Sequence, residues 1–154
     1  MKLSANEDIE APIDAVFRAV TDFDFFERTA LRRGVEVSRT EGTMPHWKLG
    51  FEYRGKARTL EADLLELQAP STVKFRGKMG GIFGDLDVEL VPLSKNRTRL
   101  SVATDLKAQS LTGKLLLQSL KLAKTKITKR YKKRVGSFAA DVEKRLGGGA
   151  MHSA

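Results

Sequence analysis

The chain contains no cysteine and only two histidines, His46 and His152. The absence of cysteine excludes disulfide bonds and thiolate chemistry, and it favours a reducing compartment. A metal site would need carboxylates beside a single histidine in the body of the chain, and no His-Glu-x-x-His spacing exists. We therefore identify no catalytic residue from these types, and we expect neither a metal nor another cofactor.

The chain also lacks long apolar runs. No segment approaches the ~18 consecutive apolar residues needed to span a bilayer. The acids Glu7 and Asp8 precede any apolar run, which is unlike a secretory signal peptide. We expect a cytoplasmic protein, with peripheral membrane contact as a further option. A length of 154 residues with 41% hydrophobic content suits a single domain. We place that domain at residues 1–146, followed by a disordered glycine-rich tail over 147–154.

The longest regular pattern covers residues 110–146 and predicts one C-terminal helix. Ser110 can serve as its N-cap, and the glycines at 147–149 can end it. An unbroken helix of this length would be roughly 55 Å long, so the rest of the chain must wrap around it. Its apolar residues recur at steps of three and four: Leu116, Leu120, Ala123, Ile127, Tyr131, Val135, Phe138, Val142 and Leu146.

Positive charge is concentrated in the same helix. The helix holds eleven basic and two acidic residues, and their difference equals the net charge of +9 of the whole chain. Such a run attracts polyanions or an anionic surface, although a solvated helix face is the alternative interpretation. We favour an anionic membrane over nucleic acid or a ribosome, because no aromatic residue interleaves on the basic face. The candidate surface residues are Lys124, Lys126, Lys129, Arg130, Lys132 and Lys133.

Upstream of this helix, the pattern predicts one strand, two short helices and six further strands. Residues 3–9 alternate as a strand, and residues 13–20 and 24–31 have helical spacing. The order predicts an α+β fold in which an antiparallel meander buries one face beneath the long helix. The six further segments of period two cover residues 35–39, 46–54, 57–67, 73–79, 82–91 and 98–106.

Residues 11–23 read Ala-Pro-Ile-Asp-Ala-Val-Phe-Arg-Ala-Val-Thr-Asp-Phe. Together with the order of elements and the mid-chain Trp47, this segment resembles the SRPBCC (START-like, polyketide cyclase and lipid-transport) superfamily over nearly the whole chain. The resemblance implies a helix-grip fold, in which a curved seven-stranded sheet wraps round the C-terminal helix and leaves an apolar cavity. Members bind lipids, quinones, hormones and polyketides, and some are enzymes. The chain departs from the pattern at Phe25-Phe26-Glu27-Arg28, where members often carry Pro and Trp.

Two sets of alternating residues, on the strands that contain Trp47 and Phe75, should line the concave side of the sheet. They are either ordinary core or the walls of a cavity, and the resemblance favours a cavity. Arg134 falls within the apolar stripe of the helix, so it either reaches the interior to bind a carboxylate or phosphate, or extends out to solvent. The candidate ligand-binding residues are Trp47, Phe51, Tyr53, Arg58, Phe75, Met79, Ile127 and Arg134.

Two other polar features are interpreted structurally. His46 alternates out of phase with Trp47, so we expect it at the solvent-exposed side or at a strand edge. The carboxylates Asp85, Asp87 and Glu89 should lie on the convex face and pair with basic neighbours. Neither feature indicates an active site.

These observations favour a non-enzymatic carrier or sensor that binds a hydrophobic small molecule, such as a lipid, a quinone or a polyketide-like compound, between sheet and helix. The alternatives are a cyclase- or hydrolase-type enzyme of the same superfamily, or a basic-helix module that docks on a membrane, a ribosome or nucleic acid. Proton transfer needs a positioned acid or base. The expected cavity faces offer only a few polar candidates, which are Glu7, Tyr53, Arg58 and Arg134.

Overall fold

The structure, a computed structural model, describes residues 1–40, 42 and 44–153, with side chains described as far as Gly147. Within these residues, seven strands and four helices follow one another in the predicted order. Their bounds are β1 Lys2–Ile9, α1 Ile13–Val20, α2 Phe23–Arg32, β2 Glu36–Thr40, β3 His46–Tyr53, β4 Lys56–Gln68, β5 Thr72–Met79, β6 Ile82–Ser94, β7 Arg97–Ala108, α3 Leu111–Leu122 and α4 Lys124–Ser153.

The strands form one antiparallel sheet in the order β1-β7-β6-β5-β4-β3-β2. Consecutive strands from β2 to β7 are neighbours because short turns join them. Between β3 and β4, both Arg54 (φ 52°) and Gly55 (φ 76°) have positive φ, which suits the two-residue hairpin turns that match the twist of a sheet. The predicted α+β helix-grip fold is confirmed.

The core lies where β1, β7, α1 and α4 meet. Ile9 and Leu100 are 0% exposed, and Val142 of α4 is 1% exposed. The buried hydroxyl of Thr98 donates a hydrogen bond of 2.8 Å to the carbonyl of Ala11, which ties β7 to the segment that leads into α1. This packing fixes the C-terminal half of α4 against one end of the sheet.

The prediction of one helix over residues 110–146 is wrong, because the helix is interrupted at Ala123. This residue has φ −101° and ψ 19°, and its N–H bonds to the carbonyls of Leu120 and Lys121. The two helices pack on different parts of the sheet: α3 contacts β6 and β7, whereas α4 contacts β1 and α1. Ser110 caps α3 as predicted, since its hydroxyl accepts a bond of 3.0 Å from the N–H of Gly113.

The predicted end of the helix at Leu146 is also wrong, because α4 extends to Ser153. Glycine permits a left-handed residue after a helix but does not impose one. A disordered tail was predicted over residues 147–154. The side chains of nearly all these residues lie outside the described part of the chain. Among the described residues, no helix is both long and apolar enough to cross a membrane.

Candidate functional site

A cavity of about 480 Å³ lies between the inner face of the sheet and α4. Its volume falls within the range of small-molecule pockets. Strands β2 to β7 supply one wall, and α1, α2 and α4 supply the others. The sheet contributes Val37, Trp47, Leu49, Ala62, Phe75 and Val88 among its lining side chains.

Alternation along the strands explains why these side chains meet. Residues two apart in a strand point to the same face, so Trp47 and Leu49 lie side by side on β3. Register then aligns the strands: Trp47 pairs with Ala62, and Phe75 pairs with Leu86. The alternation along each strand and the register between strands therefore bring these side chains together in the cavity wall.

Aromatic rings from two helices close the cavity over the sheet. The ring of Phe23 lies 5.1 Å from that of Trp47 and 6.1 Å from that of Phe75, in edge-to-face geometry. Phe26 of α2 lies 5.8 Å from Phe138 of α4. Such contacts are worth about 0.5–1.5 kcal/mol per pair beyond area burial, so they hold α2 in place.

Among the described residues, three polar side chains line the cavity, and Glu27 is one of them. Its Oε2 accepts a hydrogen bond of 3.1 Å from the indole N–H of Trp47 and lies 3.1 Å from Nη1 of Arg39. Arg39 also pairs with Asp24 at 2.7 Å. The Glu27 carboxylate is therefore already engaged by two donors.

Tyr131 of α4 is the second polar side chain. Its hydroxyl shares a hydrogen bond of 2.9 Å with that of Thr104 on β7. Burial raises the pKa of Tyr131 above its ordinary value, and the hydrogen bond with Thr104 opposes the shift. The side chain is thus a neutral phenol at physiological pH.

Arg134 is the third polar side chain. It lines the cavity and is also exposed to solvent, so it lies at the edge of the cavity. It also lines an open recess on the exposed surface of α4, formed by side chains of that helix alone: Lys129, Arg130, Lys133, Arg134 and Ser137. Among the described residues, Arg134 has no carboxylate partner. The cavity and the recess therefore share the guanidinium group of Arg134.

Three of the eight predicted ligand-binding residues line the cavity: Trp47, Phe75 and Arg134. The cavity does not reach the other five, although most lie on the same face of the sheet or helix. Tyr53 is 50% exposed and Met79 43% exposed, because both sit where hairpins end. Alternation identifies a face but not the point along it at which the cavity stops. The five residues outside the cavity are Phe51, Tyr53, Arg58, Met79 and Ile127.

Several lining residues were not predicted. Tyr131 and Phe138 stand on the apolar stripe of the helix, so their spacing already indicated that they face the sheet. Phe23, Phe26 and Glu27 of α2 had no such signal, because only tertiary packing brings this helix over the sheet.

His46 and Asp85 behave as expected, whereas Asp87 and Glu89 have no ion-pair partner among the described residues. Nδ1 of His46 lies 2.6 Å from Oδ1 of Asp63 across the β3–β4 pair. Asp85 pairs with Arg76 at 2.7 Å, and this ion pair lowers the pKa of the Asp85 carboxyl. Within the described residues, no group of three or more His, Asp or Glu side chains could hold a metal ion.

The basic residues of α4 are exposed, including Arg134 at the edge of the cavity. All six predicted surface residues are exposed, and no ion pair among the described side chains involves them. They are Lys124, Lys126, Lys129, Arg130, Lys132 and Lys133.

Residues 1–143 match the family model described as polyketide cyclase/dehydrase and lipid transport. The chain belongs to this family, and its membership of the SRPBCC superfamily is confirmed. A comparison with curated protein sequences gives no match.

Solved structures similar to this chain share its fold. A protein from Thermus thermophilus has 17% identity and a TM-score of 0.67, with 97% of this chain and 99% of that chain covered. The Zhui aromatase/cyclase from Streptomyces has 12% identity and a TM-score of 0.65, with 95% of each chain covered. Truncated norcoclaurine synthase from Thalictrum flavum has 11% identity and a TM-score of 0.70, with 95% and 92% covered. At such identities the likeness concerns the fold alone.

Proposed function

We propose that the chain binds a hydrophobic small molecule in the cavity between sheet and α4, as a carrier or sensor. The observation that carries this proposal is the lining: all but three of the side chains around about 480 Å³ are apolar or aromatic. An apolar cavity with a few placed polar groups is the usual form of a small-molecule site. A lipid, a quinone or a polyketide-like compound fits this chemistry.

An enzyme of the cyclase or hydrolase type is the rival hypothesis within the same family. It needs an acid or base free to move a proton. Glu27 already accepts from Trp47 and Arg39, and the hydroxyl of Tyr131 shares a hydrogen bond with Thr104. These contacts favour binding over proton transfer.

Native mass spectrometry of protein purified directly from cells, followed by extraction of any bound compound, tests the proposal. A matched pair of variants connects the result to the cavity. Ala62→Phe places a ring inside the cavity and should expel the ligand, whereas Ala103→Phe adds the same ring on an exposed position of β7. Protein that is empty and ignores a panel of lipids, quinones and aromatic polyketides would contradict the proposal.

A second candidate function is docking on an anionic membrane, and α3 provides the observation that favours it. Four leucines of this helix are exposed, including Leu116 of the predicted inner stripe, and three of them project furthest into solvent: Leu111 is 75% exposed, Leu115 58% and Leu122 92%. At helical spacing they form one stripe, with Lys114 and Lys121 alongside it. Exposed apolar residues beside lysines are typical of helices that lie in a membrane interface.

Charge complementarity favours an anionic membrane as the partner of this exposed face of α3. Between Asp105 and Asp141 the chain has ten basic residues and no acidic one. Each Lys or Arg near an anionic lipid surface contributes about 1 kcal/mol, so a few would give reversible attachment. Docking there would let cargo pass between the membrane and the cavity.

Liposome flotation tests this second function, with neutral and anionic vesicles at low and high salt. Leu115→Ser with Leu122→Ser should abolish flotation, and Lys124→Glu with Lys126→Glu should weaken it on anionic vesicles only. An RNA and DNA shift assay runs alongside. Flotation of the variants at the parent level, or binding to nucleic acid without vesicle binding, would refute the docking function.

A further inference from the structure

We infer that the ligand is an anionic amphiphile, with its carboxylate or phosphate group bound at Arg134 and its apolar part inside the cavity. This inference rests on the proposed function and names the chemical class of the ligand. It starts from the position of Arg134, the one residue that lines both the apolar cavity and the basic recess on α4.

Helix geometry explains why the two spaces adjoin. Tyr131, Arg134 and Phe138 recur at steps of three and four, so they share the face of α4 that looks into the cavity. Lys133 and Ser137 each precede one of these residues, so they lie on the adjacent face and line the recess. A molecule that leaves the cavity beside Arg134 therefore meets the recess directly.

The recess is a site for negative charge. Four cations line it, Lys129, Arg130, Lys133 and Arg134, together with the hydroxyl of Ser137, and no carboxylate is among its lining residues. None of the four has an ion-pair partner among the described side chains. Like charges at this spacing repel one another on a helix, and a bound anion would relieve that repulsion.

Four other arginines of the chain are used differently. Arg76, Arg97, Arg99 and Arg145 each face a carboxylate within 4 Å, at distances from 2.7 to 3.6 Å. The recess thus differs from the surface around these four arginines, where each guanidinium has a carboxylate partner. An external anion would supply the counterpart that the recess lacks.

The cavity interior provides no alternative place for an anionic group. Glu27, the one acid among the described lining residues, would repel an anionic group, and Tyr131, whose hydroxyl shares a hydrogen bond with Thr104, is uncharged and offers no counter-charge. A buried charge without a partner is costly, so the head group must remain at Arg134, where guanidinium and solvent are both available. The apolar part then contacts the aromatic and aliphatic walls.

Three probes of equal chain length test the inference: dodecanoate, dodecyl phosphate and dodecan-1-ol, each below its micelle-forming concentration. Isothermal titration should show that at least one anion binds ten times or more tightly than the alcohol. Arg134→Gln should weaken anion binding by about tenfold, equal to about 1.4 kcal/mol, and leave the alcohol unchanged. Lys144→Gln, at an exposed residue of α4 outside both the recess and the six candidate surface residues, is the matched control.

The outcomes separate this inference from the proposed function. Equal affinity for the alcohol and both anions, or an equal loss for all three in Arg134→Gln, overturns the inference and leaves the apolar site intact. Failure of every probe, together with empty protein in native mass spectrometry, overturns both. Preference for dodecyl phosphate supports the inference with a phosphate group, and preference for dodecanoate supports it with a carboxylate.

Discussion

Gly113 in the first turn of α3 lies directly against Gly81 in the turn between β5 and β6. A Cβ atom added to Gly113 would collide with the carbonyl of Gly81, which is backbone and cannot rotate away. The same carbonyl accepts a hydrogen bond of 2.7 Å from the N–H of Gln109, just before the helix. Two glycines thus let a helix backbone touch a hairpin turn and fix the start of α3.

Replacement of Gly113 by alanine should destabilise the protein by about 1–3 kcal/mol, as overpacking does, although alanine normally favours a helix. Gly136→Ala in α4 is the matched control. Its Cβ would lie 3.1 Å from Oε1 of Glu7, the flexible end of a side chain, so we expect a change within about 1 kcal/mol. Urea unfolding measures both, and equal effects would contradict the backbone contact.

Thr98→Val should cost about 1–3 kcal/mol of unfolding free energy. The side chain is 0% exposed, and its hydroxyl donates to the carbonyl of Ala11 at 2.8 Å. Valine keeps the shape and removes the donor, so a buried hydrogen bond is lost. Thr59→Val on the exposed side of β4 should change stability by less than about 0.5 kcal/mol. If Thr98→Val has the same unfolding free energy as the parent in chemical denaturation, this role is refuted.

Acid sensitivity should depend on the Asp8–Arg99 ion pair. The hydrogen bond from Arg99, at 2.9 Å, lowers the pKa of the Asp8 carboxyl in the folded protein. The pair therefore contributes stability above the pKa of the unfolded chain, and this contribution is lost as pH falls through the folded pKa.

Asp8→Asn should reduce the difference in unfolding free energy between pH 7 and pH 3, mainly by lowering stability at pH 7. Asp87→Asn serves as the control, since Asp87 makes no ion pair among the described residues. Denaturation curves at the two pH values decide the matter. An unchanged pH dependence in Asp8→Asn would show that the pair contributes nothing.

Ligand binding should change the fluorescence of Trp47, because this residue lines the cavity and is the only tryptophan of the chain. Displacement of water from the cavity should shift its emission to shorter wavelength. Trp47→Phe should abolish the signal while mass spectrometry still detects a complex. Saturation of the protein without any spectral change would place the ligand elsewhere.

Much of the fold could be predicted from local patterning, but its long-range packing could not. Alternation gave every strand to within a few residues, since a half-buried strand needs that period. The break at Ala123 escaped prediction because apolar spacing continues across it, although α3 and α4 make different main contacts in the folded protein.

Sequence patterning likewise identified some residues of the candidate site and missed others. Trp47, Phe75 and Arg134 could be assigned because each belongs to a patterned face. Phe51 and Met79 belong to those faces too, yet they lie beyond the cavity, whose length depends on where α2 and α4 cover the sheet. Glu27 could not be assigned, because its place depends on contacts with Trp47 and Arg39 from distant parts of the chain.

Helix α2 closes the cavity, yet none of its residues is fully buried. Local opening of such an element costs less free energy than unfolding of the core around Leu100 and Val142. We expect the amide hydrogens of α2 to exchange with solvent faster than those of β7, and bound ligand to slow this exchange. The residence time of a ligand would then be governed by the motion of one ten-residue helix, independently of the global stability of the protein.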